Sequence, residues 1–230
     1  MDQSPESLHS GHGPVGQSGI GPARIVVGIT GASGAAYARR TVELAAAAGW
    51  EVHVSITSLG RRLLAEELGL KRIDADALSG GRGERLVIHN DNDLGASIAS
   101  GSFLHRGMIV VPASSNTIAA VAAGITDSLV QRAASVTLKQ RRTLILAHRE
   151  SPLSLIDIRN MERLSLAGAI VAPCNPGFYL NPTTVDEIVD FVAGRLVDLV
   201  GVPHDLDIRW ETGRGRAGPK DGPDDGPNDG

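Results

Sequence analysis

Gly28-Ile-Thr-Gly31-Ala-Ser-Gly34 is the stretch of this 230-residue chain that decides its fold. It follows the apolar run Ile25-Val-Val27 and opens a long alanine-rich segment. A strand, a glycine turn and a helix in this order present backbone N–H groups and the positive end of a helix to a phosphate. The glycines do not follow the G-x-G-x-x-G spacing, and no P-loop lysine follows Gly34. The pattern therefore argues against an ATP or GTP hydrolase and favours another phosphorylated ligand, with a plain tight turn as the alternative.

The composition indicates one folded domain with a tail at each end. Hydrophobic residues make up 42% of the chain but aromatic ones only 3%, so the core must consist of Ala, Val, Ile and Leu. Residues 1–22 and 211–230 are rich in Gly, Pro and polar residues, and we expect both to be disordered around a domain over residues 23–210. The tails account for the whole net charge of −4. The neutral domain between them predicts no face for nucleic acid.

Cys174, the only cysteine, and the lack of long apolar runs set the expected compartment. A single cysteine cannot form an internal disulfide, so a cytoplasmic location is expected, and the thiol is predicted to be a small buried group. No stretch approaches the roughly 20 apolar residues of a membrane-spanning helix, so no membrane partner is expected. The seven histidines show no metal-ligand spacing, and no metal site is predicted.

Short β-rich runs alternate with helical stretches between the tails. The predicted strands cover Arg24–Ile29, Glu51–Ile56, Leu86–His89, Met108–Val111, Thr143–Ala147 and Ala169–Ala172. The predicted helices cover Gly34–Ala48, Leu59–Leu68, Leu94–Ser100, Thr117–Ala123, Ser128–Leu138, Leu153–Ala167 and Thr184–Val200. Near-continuous Val/Ile runs are typical of strands buried on both faces, as in a parallel sheet. The predicted fold class is α/β, a single doubly wound, Rossmann-like parallel sheet with helices on both faces.

In such a sheet the ligand lies beyond the carboxyl ends of the strands, so the residues after each strand are candidates for binding. Thr57 and Ser58 follow the second strand, where an NAD-binding domain would usually have Asp or Glu for the ribose. Hydroxyls here favour a mononucleotide such as FMN, although capping of the next helix also explains them. The fourth strand is followed by more polar groups than one helix cap needs, namely Ser114, Ser115, Asn116 and Thr117.

The last two strand exits carry a cation and an aromatic pair. Arg149 directly follows the fifth strand, where a guanidinium is well placed for a phosphate or a flavin carbonyl. The adjacent Glu150 is either a proton carrier or the partner of this arginine. The pair Arg141-Arg142 is interpreted as solvated charge at a helix end. The pair Phe178-Tyr179 stands in a proline-rich loop, where it either fills the core or faces the ligand.

Taken together, these segments resemble the flavin prenyltransferases, the UbiX-type family within the FMN-binding flavoproteins and cysteine decarboxylase-like proteins. The resemblance runs from about Arg24 to Trp210. It rests on stretches that occur in the family's order and spacing: Gly28–Gly34, Ala96–Phe103, Arg132–Lys139 with Arg141-Arg142, Arg149–Leu153, and Phe178-Tyr179 followed by Pro182.

The resemblance implies a transferase that joins the dimethylallyl group of a monophosphate to N5 and C6 of reduced FMN without a metal. It also implies a homododecamer with active sites between subunits, and a product that serves a UbiD-type decarboxylase. By position, the FMN contacts would be Gly31, Ala32, Ser33, Thr57, Ser114, Ser115, Asn116, Thr117 and Arg149. The residues around the dimethylallyl phosphate would be Arg132, Lys139, Tyr179, Arg195 and Trp210. The catalytic groups would be Ser33, Glu67, Lys139, Glu150 and Tyr179, with either carboxylate or the released phosphate relaying a proton.

Two departures from the family pattern keep other functions open. Ser115 and Asn116 give Pro-Ala-Ser-Ser-Asn-Thr, close to the Pro-Ala-Ser-Ala-Asn-Thr motif of FMN-dependent cysteine decarboxylases, but the late loop lacks their Pro-x-Met-Asn clamp. Gln140 and His148 stand where the prenyltransferases commonly have Glu and Pro. The alternatives are therefore an oxidative decarboxylase for cysteine-containing substrates and a non-catalytic, flavin-binding regulatory subunit.

Overall fold

The computed structural model describes residues 23–208, which contain six strands and seven α-helices. The strands are β1 (Arg24–Ile29), β2 (Glu51–Ile56), β3 (Leu86–His89), β4 (Gly107–Ala113), β5 (Thr143–His148) and β6 (Ile170–Val171). The helices are α1 (Ala35–Ala47), α2 (Ser58–Leu68), α3 (Ala75–Ser79), α4 (Ser115–Ala123), α5 (Leu129–Lys139), α6 (Leu155–Leu166) and α7 (Val185–Asp198). None of these helices is long and apolar enough to cross a bilayer. Both predicted tails and Trp210 lie outside the described residues.

The strands form one sheet in the order β3-β2-β1-β4-β5-β6, and every neighbouring pair is parallel. The predicted α/β class with a doubly wound parallel sheet is confirmed. The chain moves outward in one direction from β1 to β3 and in the other from β4 to β6. The winding direction therefore reverses between β1 and β4, and this point of the carboxyl edge is where such sheets open a crevice for a ligand.

Both faces of the sheet are buried because successive strand residues point to two separate cores. Val27 and Val54 belong to a core that α1 and α7 cover. Val26 and Val110 belong to a second core that α4, α5 and α6 cover. Each fully buried Val, Leu or Ile side chain contributes roughly 1.5–3 kcal/mol, so two such layers stabilise the sheet without many aromatics. Small residues such as Ala38 let α1 pack closely in the first core.

One predicted helix, Leu94–Ser100, is wrong, because only a short 3₁₀ turn forms there, at Ser97–Ala99. The Asp93 carboxylate accepts a hydrogen bond from the Gly95 amide at 3.0 Å, and this local bond competes with the start of a helix. The sequence pattern did not predict α3, whose five residues are too few for a periodic signal. At the sheet, β4 is longer and β6 shorter than predicted.

Candidate functional site

A cavity of about 520 Å³ opens at the carboxyl edge of the sheet, beside the ends of β1, β2, β3 and β4. Its volume is within the range of small-molecule sites. Several residues predicted to contact FMN line it, namely Gly31, Thr57, Ser114, Asn116 and Thr117. The cavity lies where the winding of the sheet reverses, so the predicted residues and the topology indicate the same place.

The start of α2 lies directly against the end of β1, and two glycines make this approach possible. A Cβ atom on Gly31 would lie 2.5 Å from the Cβ of Leu59, and one on Gly60 would lie 2.7 Å from the carbonyl oxygen of Ile29. Both distances are well below van der Waals contact, so a larger residue at either position would push α2 away from β1. The first turn of α2 therefore forms one wall of the cavity.

The hydroxyl of Thr30 joins the ends of β1 and β4. Its Oγ1 donates to the carbonyl oxygen of Pro112 at 2.6 Å and accepts from the amide of Ser114 at 2.9 Å. Thr30 is only 1% exposed. These two bonds hold the polar turn after β4 beside the glycine turn after β1, which is a role that sequence reasoning did not assign to Thr30.

Two of the helices that begin at this edge already hold an acidic residue at their N-terminus. Glu67 accepts hydrogen bonds from the amides of Gly34 at 3.0 Å and Ala35 at 2.7 Å, where α1 begins. Asp91 accepts from the first two amides of α5, at 2.7 Å through its carbonyl oxygen and at 3.0 Å through its carboxylate. The donors of these two helix ends are therefore satisfied within the protein.

Helices α2 and α4 also begin at the cavity, but their first amides are free. Thr57 and Ser114 cap the two helices by accepting from the third amide of each, at 3.1 Å and 3.3 Å. Within residues 23–208, no group accepts from the first two amides of either helix, those of Ser58, Leu59, Ser115 and Asn116. Free amides at a helix N-terminus bind anions. The cavity therefore offers two places for a phosphate or another electron-rich oxygen.

The exit of β5 meets the glycine turn, although its residues do not line the cavity. Arg149 donates from Nε to the carbonyl oxygen of Ser33 at 3.0 Å. The side chain of Ser33 is exposed, whereas the preceding Ala32 is buried. Glu150 is exposed and accepts from the Ser151 amide at 3.0 Å, and it forms no ion pair with Arg149. The interpretation of Glu150 as the partner of that arginine is therefore wrong.

Ser115, another predicted FMN contact, uses its hydroxyl inside the protein. The hydroxyl lies 3.1 Å from Nε2 of the buried His148. Hydrogen bonds from Ser154 and then Ser115 lower the pKa of Asp157 to about 2, while burial lowers the pKa of His148. A neutral imidazole nitrogen and a hydroxyl can share one hydrogen bond, so the Ser115 hydroxyl is engaged by His148. Ser115 therefore has its backbone amide, rather than its hydroxyl, available for a ligand.

The residues predicted to hold the dimethylallyl phosphate do not gather at this cavity. Lys139 ends α5, whose first turn lines the cavity, and the 11 residues of that helix separate its ends by roughly 16 Å. Tyr179 follows β6, and its hydroxyl donates to the carbonyl oxygen of Ile208 at 3.2 Å. Arg195 lies in α7 and pairs with Asp198 at 3.3 Å. None of these three residues lines the cavity of its own chain.

Sequence reasoning missed part of the cavity wall. The exit of β3, Asn90-Asp91-Asn92, lines the cavity, and the strand-exit rule would have found it if applied to this strand. Arg61 in α2 and Gln131 in α5 also line the cavity. Neither stands at a strand end, and no local pattern marks them. Arg132 follows Gln131 on α5 and is half-buried, but it does not line the cavity.

Burial settles three other predictions. The interpretation of Arg142 as a solvated charge is wrong, since its guanidinium donates to the carbonyl oxygens of Gly101 and Phe103 at 2.7 Å each. Cys174 is buried as predicted, and burial raises the pKa of its thiol to about 12. The pair Phe178-Tyr179 is exposed and does not fill the core. In the part of the chain described, no three His, Cys, Asp or Glu side chains are grouped to hold a metal ion.

Comparison with known proteins finds relatives along most of the chain. The family model Flavoprotein matches residues 17–197. The flavin prenyltransferase UbiX of Thermoplasma acidophilum is 46% identical over 191 residues, which cover 81% of this chain and 99% of that protein. The crystal structure of AnUbiX (PadA1) in complex with FMN and dimethylallyl pyrophosphate is 35% identical, with a TM-score of 0.70 over 83% of this chain and 100% of that one. A dodecameric FMN-dependent Ubix-like decarboxylase from Escherichia coli O157:H7 is 38% identical, with a TM-score of 0.72 over 82% of this chain and 98% of that one.

Proposed function

The chain belongs to the flavoprotein family and, within it, to the UbiX-type flavin prenyltransferases, and we propose that it joins the dimethylallyl group of dimethylallyl monophosphate to N5 and C6 of reduced FMN. The observation that carries this proposal is the cavity at the reversal point of the sheet. It combines hydroxyl groups, free helix amides and one cation in a protein that is 46% identical to a flavin prenyltransferase. The product would pass to a UbiD-type decarboxylase.

The residues at the cavity fit FMN in their chemistry. The free first amides of α2 and α4 are donors for phosphate or ribityl oxygens. The hydroxyls of Thr57 and Thr117 add polar groups along the same wall. At the β5 end, Arg149 and the exposed Ser33 and Glu150 stand where a flavin ring could meet them. Reduced FMN, when bound, supplies the electron-rich N5 and C6 atoms that take up the dimethylallyl group.

The two candidate carboxylates have different surroundings, and this favours one of them as the proton carrier. The Glu67 carboxylate accepts from the amides of Gly34 and Ala35, so its oxygens are occupied in holding the start of α1. Glu150 is exposed and makes one local bond, to the Ser151 amide. We therefore assign proton transfer to Glu150 and the positioning of the glycine turn to Glu67.

The donor phosphate would be held by cations and hydroxyls. Breaking the allylic C–O bond leaves positive charge on the dimethylallyl carbons and negative charge on the phosphate. Lys139, Tyr179 and Arg195 are the groups that would stabilise the departing phosphate, with Arg132 nearby, and the face of Trp210 would stabilise the carbocation. Ring closure then releases a proton, which Glu150 or the freed phosphate takes up.

A second copy of the chain would complete this site. Lys139 is roughly 16 Å along α5 from the cavity of its own chain, which is beyond the reach of a lysine side chain. We propose that it serves a neighbouring subunit's cavity, in a homododecamer like that of the Escherichia coli relative. Active sites between subunits would explain why Lys139 lies so far from the cavity of its own chain.

The surface of α6 supports assembly of several copies. Leu155, Ile156, Ile158 and Leu166 are exposed by 67%, 72%, 49% and 83%. A cluster of exposed aliphatic side chains on one helix is typical of a surface that another protein covers. The loop from Arg149 leads directly into α6, so contact there would bring a second chain close to the β5 exit.

The test is the mass of the flavin after incubation with reduced FMN and dimethylallyl monophosphate in the presence of a metal chelator. The proposal expects a flavin that has gained one five-carbon unit, without added metal. Tyr179→Phe and Lys139→Ala should retain FMN binding but lose this gain. An unchanged flavin with the wild-type protein, accompanied by oxidative decarboxylation of a peptide with a C-terminal cysteine, would support the cysteine decarboxylase alternative instead. Full biological activity of both variants would support a regulatory flavin-binding subunit.

A further inference from the structure

Two histidines join β2 to the end of β3, next to the cavity wall. His53 of β2 is only 5% exposed, and its Nδ1 lies 2.8 Å from Nε2 of the half-buried His89, the last residue of β3. The two strands are parallel neighbours, and His89 stands opposite Ser55 in their register. The strand exit Asn90-Asp91-Asn92 follows His89 directly and lines the cavity. The His53–His89 pair therefore joins this part of the cavity wall to β2.

The neighbouring groups determine where the protons of this pair lie. One carboxylate oxygen of Glu51 lies 2.6 Å from Nε2 of His53, and the other accepts from Arg24 at 2.7 Å. The hydrogen bond from Arg24 lowers the pKa of Glu51, so this carboxylate is ionised and can only accept. Nε2 of His53 therefore carries the proton that Glu51 accepts. Since Nδ1 of a neutral His53 can only accept, Nε2 of His89 donates to it.

This contact tolerates one added proton but not two. With one added proton, either imidazole can still donate to the other. With two, an N–H group of each ring faces the other across 2.8 Å, and two like charges lie side by side. Burial lowers the pKa of both imidazoles, and the nearby His53 lowers that of His89 further. The folded protein therefore resists full protonation of the pair, and acid favours its separation.

The charged surroundings of the pair do not remove this sensitivity. Glu51 opposes the downward pKa shift in His53, and Asp93 opposes it in His89, but burial is the larger effect in both imidazoles. Burial also lowers the pKa of the neighbouring His105 to about 4, so this third imidazole stays neutral in mild acid. Within residues 23–208, the titratable or charged groups that act on the pair are Arg24, Glu51, Asp93 and His105.

We propose that the His53–His89 pair holds the exit of β3 in the position that binds flavin, and that it makes flavin binding weaken in mild acid. Separation of the pair would release the end of β3 and the strand exit that lines the cavity. It would also disturb Asp91, which accepts from the hydroxyl of Ser55 at 2.9 Å and from the amide of Val130 at 3.0 Å. The inference rests on the proposed function only in taking a flavin as the ligand of the cavity.

The experiment measures the dissociation constant of FMN, by quenching of flavin fluorescence, at about pH 7.5 and about pH 5.5 in the wild type and His89→Gln. An ordinary imidazole has a pKa of about 6.5, so each proton gained on separation weakens binding by up to about tenfold over this range. FMN binding by the wild type should weaken by about 3- to 10-fold more than binding by His89→Gln. The glutamine amide stays uncharged, and it can donate to His53 or, after a flip, accept from it.

Two further variants test the role of the contact itself. His89→Ala should bind FMN about 3- to 10-fold more weakly than the wild type at about pH 7.5, where His89→Gln restores binding because it restores the hydrogen bond. His105→Asn is the matched control, because His105 is buried nearby but stays neutral over this range, and it should show the pH dependence of the wild type. The FMN phosphate also titrates near about pH 6, but it contributes equally in every variant.

Equal pH dependence of FMN binding in the wild type and His89→Gln overturns the inference. So does a pH dependence that His105→Asn abolishes, or wild-type affinity of His89→Ala at about pH 7.5. Circular dichroism of each variant at both pH values separates a lost contact from a lost fold. The proposed function fails separately, because a protein that binds FMN in this pH-dependent way but yields no prenylated flavin leaves the inference intact. A wild type that does not bind FMN overturns both.

Discussion

Thr30→Val removes the hydroxyl that joins the ends of β1 and β4 while keeping the shape of the side chain. The change deletes the bonds to the Pro112 carbonyl oxygen at 2.6 Å and from the Ser114 amide at 2.9 Å. An unsatisfied buried polar group costs about 1–3 kcal/mol, and the half-buried Ser114 amide can partly recover by bonding water from the cavity. We expect the free energy of unfolding to fall by about 2–3 kcal/mol, which corresponds to roughly 4–12 °C in Tm.

Thr30→Val should weaken FMN binding as well as stability, because Thr30 holds the turn that carries Ser114 and Thr117. We expect FMN binding to weaken by about tenfold, which corresponds to roughly 1.4 kcal/mol of binding free energy. Urea unfolding and flavin fluorescence measure the two effects on the same preparation. Thr137→Val is the matched control, since Thr137 is equally buried and its hydroxyl donates at 2.8 Å to the Ala133 carbonyl oxygen within α5.

The control should lose less than about 1 kcal/mol, because its acceptor belongs to the regular hydrogen-bond ladder of the helix, and should leave FMN binding unchanged. If Thr30→Val were as mild as Thr137→Val and bound FMN with wild-type affinity, Thr30 would not position the site, and the reasoning would be refuted.

Three further predictions concern the acids, the assembly and the pH dependence. Glu67→Gln should lower the free energy of unfolding by about 1 kcal/mol, because it weakens the hydrogen bonds to the start of α1. Glu150→Gln should leave the free energy of unfolding unchanged and slow prenyl transfer. Equal effects of both variants on stability would contradict the assignment of a structural role to Glu67 and a catalytic role to Glu150. Lys139→Ala and Glu150→Gln should each have strongly reduced activity alone. Co-expressed in equal amounts, they should recover roughly a quarter of wild-type activity, because one site in four then combines intact halves from two chains. A mixture that is no more active than the single variants argues against a shared site. Burial lowers the pKa of His105 to about 4 from an ordinary 6.5, so His105 contributes stability above pH 6.5 that is lost as the pH falls towards 4. Urea unfolding of the wild type should lose up to about 3 kcal/mol more over this range than His105→Asn, and parallel curves for the two proteins would show that His105 is not the cause.

The sheet could be predicted because its strands are short, nearly continuous apolar runs, which are typical of strands buried on both faces of a parallel sheet. Arg24–Ile29, Glu51–Ile56 and Leu86–His89 were predicted with the bounds that the structure shows. The prediction failed where local side-chain hydrogen bonds outweigh the apolar periodicity of the sequence. Leu94–Ser100 looks helical, yet Asp93 bonds the Gly95 amide and the segment turns instead.

At the site, the strand-exit rule located the cavity but could not distinguish groups that face a ligand from groups that serve the fold. Ser115 and Arg142 illustrate this limit, because each is polar or charged in sequence and makes its hydrogen bonds inside the protein. Arg61 shows the reverse, since only the three-dimensional arrangement reveals that it lines the cavity. Lys139 lay beyond prediction from geometry alone, as its proposed site belongs to another chain.

A crystal structure of the protein with FMN and dimethylallyl monophosphate bound would show where both ligands lie and which chains hold them. We expect FMN in the cavity at the reversal point of the sheet, with its ring towards Arg149. We also expect the donor phosphate beside Lys139 of a neighbouring chain. A flavin bound in the opposite direction, or a donor phosphate held by residues of a single chain, would contradict this arrangement.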